Sequence, residues 1–434
     1  MTTQPLNAPK IRVGIDFGTT NSVVVIADEQ GNTQPAIFNF IDSPSSETCR
    51  TLLCLWMDQE GNRRVLQDAI GLDAIEAYLD DPAESRLIMS MKTYLAQGSF
   101  RETRVFASTM TLQNLIARFL RSLMDKAGIT PEQVSTTIGR PVRFAGELAD
   151  DDLGVKRLKE SFVEAGFAEP NVVLEPEGAG WRFMQRLDAP ATVLVGDFGG
   201  GTSDFSVMRF DPHGTPRTVT LGHSGVGIAG DQFDFRIIDN VVAPALGRDT
   251  TYRVMGGQPL PVPIEWYASL GRWHRLSLMR TPQTLRSIAD VAKTASDPQK
   301  LRNLLRLIED QEGQNLYRAI GQAKSDLSRH DSTVLKFSHQ DLKIEQTITR
   351  ADFESWIKPD LEKLAAAIDD ALNVTGLGIE DIDHVFLTGG TSFVPAVRKL
   401  FTDRFGESRV DGGSEFVSVA EGLALIEVEA RASA

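Results

Sequence analysis

The hydrophobic pattern of the chain opens on a strand that runs into a polar turn and returns as a second strand. Ile11 to Ile15 is an apolar run broken by one arginine. The turn Asp16-Phe17-Gly18-Thr19-Thr20-Asn21-Ser22 follows, and then the apolar run Val23 to Ala27. Strand, tight turn and strand predict a hairpin. Far downstream the pattern recurs, with Ala191 to Val195, the turn Gly196-Asp197-Phe198-Gly199-Gly200-Gly201-Thr202-Ser203-Asp204, and the returning run Phe205 to Phe210. A weaker third case begins at His384 to Leu387 and turns at Thr388-Gly389-Gly390-Thr391-Ser392 into the amphipathic stretch Val394 to Phe405. Two such turns predict a duplicated domain rather than a short-period solenoid, each lobe offering a hairpin to one shared ligand.

Helical periodicity fills the intervals. Leu112 to Ala127 places Leu112, Leu115, Ile116, Phe119, Leu120 and Leu123 on one stripe and stops at Gly128, a natural C-cap. Thr130-Pro131-Glu132-Gln133 offers an N-cap residue, Pro at N1 and Gln at N3, and so predicts a helix start. Val155 to Ala165 ends at Gly166 in the same way, and Thr349 with Asp352 opens a helix to about Leu372. Strands mixed with helices throughout predict an α/β protein. Two stretches differ in texture. Residues Asp28 to Arg104 form a peripheral block after the first hairpin. Gly247 to Asn315 is rich in Gly and Pro at first, contains Trp266 and Trp273, and turns helical near Leu301 to Ile308. The latter is expected to be an insertion or subdomain, with its tryptophans in a core rather than on a partner surface.

Composition narrows the function classes. At 434 residues with 41% apolar content, the chain can bury a large core. Its formal net charge of -14 opposes a phosphate backbone, and the densest basic cluster, Arg272 to Arg280, reads as one helix face, so no nucleic-acid partner is expected. Met1 to Val13 has no apolar segment of signal-peptide type, and no stretch approaches the roughly 20 apolar residues of a membrane span. Cys49 and Cys54 are read as two reduced thiols, which fits a cytoplasmic protein.

The turns carry the chemistry. A terminal phosphate with its magnesium needs backbone N–H donors free of obstructing side chains, hydroxyls, and carboxylates for the metal's water shell. Asp16 and Asp197 each end an apolar strand and point into a Gly/Thr turn; Thr19, Thr20, Thr202 and the Gly199–Gly201 amides would face the phosphates. One turn of this kind is compatible with an ordinary hairpin, whereas two with a third Gly-Gly-Thr-Ser turn point to nucleotide binding. Neither a Gly-x-x-x-x-Gly-Lys-Ser/Thr loop nor a dinucleotide fingerprint opening a helix is present.

These turns resemble the phosphate-1, phosphate-2 and adenosine motifs of the sugar-kinase, heat-shock-chaperone and actin superfamily. Within it, the chain is similar to DnaK-type heat-shock chaperones of the seventy-kilodalton class. The resemblance rests on Gly14 to Ser22, on Leu174-Glu175-Pro176, and on Ala229-Gly230-Asp231-Gln232-Phe233-Asp234. It implies a two-lobed actin-like ATPase with ribonuclease H-like duplicated lobes and a nucleotide cleft between them. Lobe I would span 1–190 (core 1–39 and 107–190, peripheral part 40–106). Lobe II would span 191–414 (core 191–246 and 332–414, peripheral part 247–331). Residues 415–434 would form a helix returning to lobe I, without a peptide-binding domain, as in a short bacterial subfamily limited to the ATPase domain.

The site carries over by resemblance, residue by residue. Asp16 and Asp197 would hold Mg²⁺ through water, with Glu175 ordering a metal-bound water. Thr19 and Thr202 would meet the γ-phosphate, and Lys92, the only lysine between Lys10 and Lys126, would reach it as the catalytic cation. Gly18, Thr20, Asn21, Gly199, Gly200, Gly201, Gly230, Gly389, Gly390 and Thr391 would complete the ATP/ADP cradle, and Lys324 and Ser328 would contact the ribose. The chain departs from the family at Gly321, at Glu177, and at Phe393, where an arginine usually stacks on adenine. The implied function is slow Mg-ATP hydrolysis coupled to a protein client, with an exchange factor or J-domain-type helper as a possible partner. The alternatives are a small-molecule kinase of the same superfamily, with Asp204 as its base, or a non-hydrolysing nucleotide-sensing or actin-like scaffold protein.

Overall fold

The computed structural model describes residues 11–41, 43–81, 84–144, 148–184, 186–214, 217–254, 256–271, 276, 279–310, 312–412 and 417–432. Trp273 and most of the Arg272–Arg280 cluster lie outside the described residues. The mixed α/β class is as expected. Residue contacts divide the chain into two compact units, one of Met1–Ala229, Lys363–Phe393 and Val397–Ala434, the other of Gly230–Glu362 and Val394–Ala396.

The larger unit contains the same strand arrangement twice. In the first sheet, β1 (Ile11–Phe17), β2 (Asn21–Ala27) and β3 (Thr33–Pro35) form an antiparallel meander, while β4 (Val134–Arg140) and β5 (Asn171–Leu174) add in parallel on the other side of β1. The order is β3-β2-β1-β4-β5, and a short strand at Cys49–Arg50 also pairs with β2. In the second sheet, β6 (Ala191–Phe198), β7 (Ser203–Phe210) and β8 (Thr218–Val226) form the meander, and β9 (His384–Thr388) and β10 (Val410–Gly412) run parallel to β6, in the order β8-β7-β6-β9-β10. Even the turns correspond, since Phe17 pairs with Ser22 and Phe198 with Ser203. The central strands read as near-continuous apolar runs because both faces are covered.

Helices supply that cover. One face of the first sheet packs under α1 (Leu112–Ala127) and α2 (Asp151–Glu164), with Val13, Ile15, Phe17, Phe119, Leu120, Leu158 and Phe162 fully buried. Helix α1 begins with the capping box Thr111/Asn114 and ends at Gly128 with φ 68°. The third helix, α3 (Glu175–Met184), packs on the second sheet through Ala179, Trp181 and Phe183. Further helices are α4 (Arg350–Thr375), which the Thr349/Asp352 pair caps, α5 (Pro395–Phe405), and α6 (Ser418–Ala432), which covers β1 and β2 through Ala420 and Ala424.

Helices α3 and α6 cross backbone to backbone. A Cβ on Gly422 would fall 1.7 Å from the Gly178 carbonyl oxygen, and one on Gly178 would fall 2.8 Å from the Val419 carbonyl oxygen. No side chain fits at that crossing. It explains two glycines inside helices, where the residue is otherwise unfavourable.

The expected helix start at Thr130 is corrected by the structure. Pro131–Gln133 makes a single 3₁₀ turn without a side-chain cap, and the chain then enters β4. The run Val134-Ser135-Thr136-Thr137-Ile138 is β-branched but for one serine, and its pairing with β1 from Ile11↔Val134 to Ile15↔Ile138 outweighs the local start signal. Helix α2 starts earlier than expected because Asp150 caps it, accepting the Leu153 N–H at 3.0 Å. Cys49 and Cys54 sit on separate strands as buried free thiols, and burial pushes their pKa values up to about 12 and about 11.

In the smaller unit, helices Pro298–Glu309 and Gly313–Arg329 and the hairpin Ser332–His339/Leu342–Thr349 bury Leu301, Leu304, Leu316, Ile320, Leu335 and Phe337. The block Gly247 to Asn315 is loop-rich first, as expected, and then helical, including a helix at Pro282–Thr294 that the sequence reading did not foresee; Trp266 is buried. The glycine geometry gives a paired test by chemical denaturation. Gly422→Ala is expected to lower unfolding free energy by about 1–3 kcal/mol through overpacking. Gly321→Ala meets nothing within 4 Å and should raise it by up to about 1 kcal/mol as a helix substitution.

Candidate functional site

The site grows from the strand ends. On β1 the side chains of Val13, Ile15 and Phe17 enter the core beneath α1. Gly14 and Asp16 therefore point to the opposite face, where a Cβ on Gly14 would already strike the backbone of α6. Asp16 is the last residue of that face before the Gly18–Thr20 turn. Asp197 holds the same place on β6, and its cross-strand partner is Asp204 where Asp16 has Val23. The second turn is closed by the Gly199 N–H donating to the Thr202 carbonyl at 2.9 Å. The third turn lies beside it in register, Asp197 opposite Thr388. There Gly389 takes φ +85°, and a Cβ would lie 2.1 Å from the Phe198 carbonyl oxygen, so only glycine serves. Ser392 closes that turn through its hydroxyl on the Gly389 carbonyl at 2.6 Å.

Two further charges converge here. Glu175 is the first residue of α3 and is buried; Gly139 on β4 leaves it room, since a Cβ there would lie 2.8 Å from its Cγ. Lys92 arrives on a 3₁₀ turn, Met91–Tyr94, that follows Ser90 in the left-handed region at φ 52°. Met91 at the start of that turn and Leu95 just after it are fully buried, and Lys92 is buried with them; its Nζ donates to and pairs with Glu175 Oε1. Four carboxylates (Asp16, Glu175, Asp197, Asp204) thus share one ammonium.

Their charges act on one another. Burial raises the Asp16 pKa to about 7, with Glu175 adding to the shift and Lys92 opposing it. Asp197 is raised well above the ordinary range by burial, Glu175, Asp16 and Asp204. Burial and Glu175 raise Asp204 to about 7, opposed by the Thr202 hydroxyl, Lys92 and the Arg143 N–H. For Lys92, burial favours the neutral form, but Glu175, Asp16 and Asp197 outweigh it and the pKa rises. The site has a surplus of negative charge in a poorly hydrated place, which a cation would relieve.

A divalent ion held through water fits that donor set. Among the described residues no group of three or more His, Cys, Asp or Glu side chains is arranged to ligate a metal directly. Mg²⁺ commonly keeps several waters and needs only one or two carboxylates with phosphate oxygens. The residues that would hold it are Asp16, Asp197 and Glu175, as the resemblance implies.

Other expected residues fall as follows. Thr19, Thr20, Asn21, Gly200, Gly201 and Thr202 are half-buried in the two turns, and Gly18 and Gly199 open them. Thr391 is buried, Gly390 begins a 3₁₀ turn, and Phe393 ends it with 47% of its surface exposed. Gly230, Lys324 and Ser328 come together in the smaller unit. Lys324 Nζ pairs with Asp234 at 2.8 Å and donates to the Gly230 carbonyl at 3.1 Å, and Ser328 donates to the Lys324 carbonyl at 3.2 Å. Sequence reasoning missed the loop after β4, whose Val142 N–H donates to Asp204 Oδ1 at 3.1 Å. No side-chain pattern announces a backbone donor.

A model of the Hsp70 protein family matches residues 298–427. The chain is 25% identical over 428 residues to the chaperone protein DnaK of Thermosipho africanus, covering 96% of this chain and 59% of that protein. It is 24% identical over 422 residues to DnaK of Thermotoga maritima, with 95% and 58% covered, and 24% identical over 410 residues to that of Ureaplasma urealyticum, with 92% and 55% covered. Similarity to these DnaK chaperones runs along nearly the whole chain at low identity, and the chain spans under two thirds of their length. The motif resemblance to seventy-kilodalton heat-shock chaperones is thereby borne out.

The raised carboxyls fix a sign for stability. Such a group costs nothing below its unfolded value of 3.8 and its full penalty above its folded value near 7. Lys92 stays charged across that window and adds no slope. Without divalent cations, the thermal midpoint should therefore fall as pH rises from about 5 to about 8. Asp16→Asn should flatten the profile, and magnesium with nucleotide should restore most at the alkaline end.

Proposed function

We propose that the protein is a heat-shock-chaperone-like ATPase that binds Mg-ATP between two actin-like lobes, hydrolyses it slowly, and passes the resulting lobe movement to a protein partner. The observation that carries this reading is the buried Lys92–Glu175 pair set against Asp16 and Asp197 at the ends of two identically wired hairpins. Similarity to DnaK chaperones supports it. The duplicated strand order supports the two-lobed architecture, with lobe I to residue 190 and lobe II to residue 414.

Magnesium would neutralise the phosphates and orient the attacking water. The roles of the chain's own groups follow from charge and position. Asp16 and Asp197 would accept hydrogen bonds from metal-bound waters and fix their direction. Glu175 would orient a water and hold Lys92 in its charged form; the lysine would donate to the phosphoryl oxygens as negative charge spreads over them. Preorganised donors of this sort act without reorganising at the moment of reaction. Thr19 and Thr202, with the Gly199–Gly201 amides, would cradle the terminal phosphate. Gly230, Lys324 and Ser328 would take the ribose side, and the exposed ring of Phe393 would stack on adenine. Coupling to a partner then depends on that partner's difference in affinity for two lobe angles, which bounds the shift. No helix among the described residues is long and apolar enough to cross a membrane. We place the protein in the cytoplasm, with a protein client and with an exchange factor or J-domain-type helper as candidate partners.

The kinase alternative is the less favoured reading because its base would be Asp204, a carboxyl already engaged within the fold. Asp204 accepts the Val142 N–H, the Arg143 N–H and the Thr202 hydroxyl, which ties it to the loop after β4 and to its own turn. Single-turnover hydrolysis of pre-bound Mg-ATP tests the reading directly. The native chain should form ADP without any added sugar or acid, and Lys92→Ala should bind nucleotide yet lose roughly a hundredfold in rate, the scale of single charge-stabilising donors. ATP that stays bound and intact for hours in the native protein would instead mark a nucleotide sensor.

A further inference from the structure

The Lys92 turn is held from behind by an arginine. Arg157 lies on α2, is 8% exposed, and directs its guanidinium into the segment that follows Lys92. Nη1 donates to the carbonyls of Tyr94, Leu95 and Gln97 at 3.3, 3.2 and 3.0 Å, and Nη2 donates to that of Phe100 at 2.8 Å. No ion pair is formed by this guanidinium among the described residues. A buried charge without a counter-charge persists only where dipoles replace its water, and here four carbonyls of one loop do so.

Every carbonyl from Lys92 to Gln97 accepts a hydrogen bond. Leu95 N–H donates to the Lys92 carbonyl at 3.2 Å, Asp150 N–H to Ala96 at 3.0 Å, Gln97 N–H to Tyr94 at 3.1 Å and the Gln97 amide to Thr93 at 3.0 Å. Arg157 supplies the donors for Leu95 and Phe100 and adds a second to Tyr94 and Gln97. Its fork crosses the loop at four points, whereas each of the other bonds joins two. The turn needs such support because it starts from Ser90 at φ 52°, a conformation that a non-glycine residue keeps only when its surroundings over-determine it.

We propose that Arg157 is a positioning residue: it fixes the 3₁₀ turn so that Lys92 Nζ meets Glu175 and the transferring phosphoryl group in one place. This rests on the catalytic reading of Lys92 above. Arg157 touches none of the reacting atoms and acts through the lysine alone.

A mutant cycle separates this role from general support. Hydrolysis of pre-bound Mg-ATP and nucleotide affinity are measured in the native chain, Arg157→Lys, Arg157→Ala, Lys92→Ala and the double variant Arg157→Ala/Lys92→Ala. Arg157→Ala should hydrolyse at least about tenfold more slowly, within the roughly hundredfold that an ångström of misplacement costs, with affinity changed less than about twofold. Arg157→Lys keeps the charge without the fork and should fall between; if the alanine variant does not fold, it replaces alanine in the cycle. The double variant should be no slower than Lys92→Ala, because a residue acting only through the lysine has nothing left to lose. Native rates in both Arg157 variants overturn the proposal, and so does a double variant slowed by the full Arg157 factor. Should the native chain not hydrolyse at all, the reading of Lys92 fails, and Arg157 is judged on hydrogen exchange at the Thr93 and Leu95 amides. Faster exchange confined to the Lys92 loop in Arg157→Lys upholds the positioning role, and unchanged exchange overturns it.

Discussion

A charge imbalance governs this molecule. Three aspartates and one glutamate meet a single lysine in a poorly hydrated place, and no rearrangement of those five side chains can make the sum neutral. A fold that bore this for stability alone would be better served by apolar residues, since buried ion pairs seldom repay their desolvation. The imbalance makes sense as a receptor for charge from outside. Under the proposed function, the raised carboxyls would lower folding stability at neutral pH and a cation-bearing ligand would recover it.

The scaffold carries that cost through redundancy. Two sheets with the same order, each covered by helices, end their central strands at the acidic turns, so the strained groups sit on the best-buried elements of the chain. Rigid strands hold carboxylates more accurately than loops do. The one charged group on an irregular segment is Lys92, and there the chain adds the Arg157 fork and the buried Met91 and Leu95 as anchors.

What was legible in the sequence divides along physical lines. Asp16 and Asp197 could be read because strand periodicity and Gly/Thr turns are local signals, and the register pairs confirm both hairpins. Lys92 and Glu175 became legible only through family resemblance. They lie 83 residues apart, and nothing near either one announces the other. The false helix start at Thr130 failed for the opposite reason: a sound local signal lost to pairing with a strand more than a hundred residues earlier. Arg157 and the Val142 amide were invisible because one resembles any helical arginine and the other has no side-chain signature.

The duplication is faithful in backbone and unfaithful in charge. Opposite Asp16 the returning strand carries Val23, and opposite Asp197 it carries Asp204. Glu175 and Lys92 largely cancel, so the residual field leans toward the second hairpin. Two copies of one hairpin wiring thus differ in acidity, the second turn carrying the extra carboxyl of Asp204.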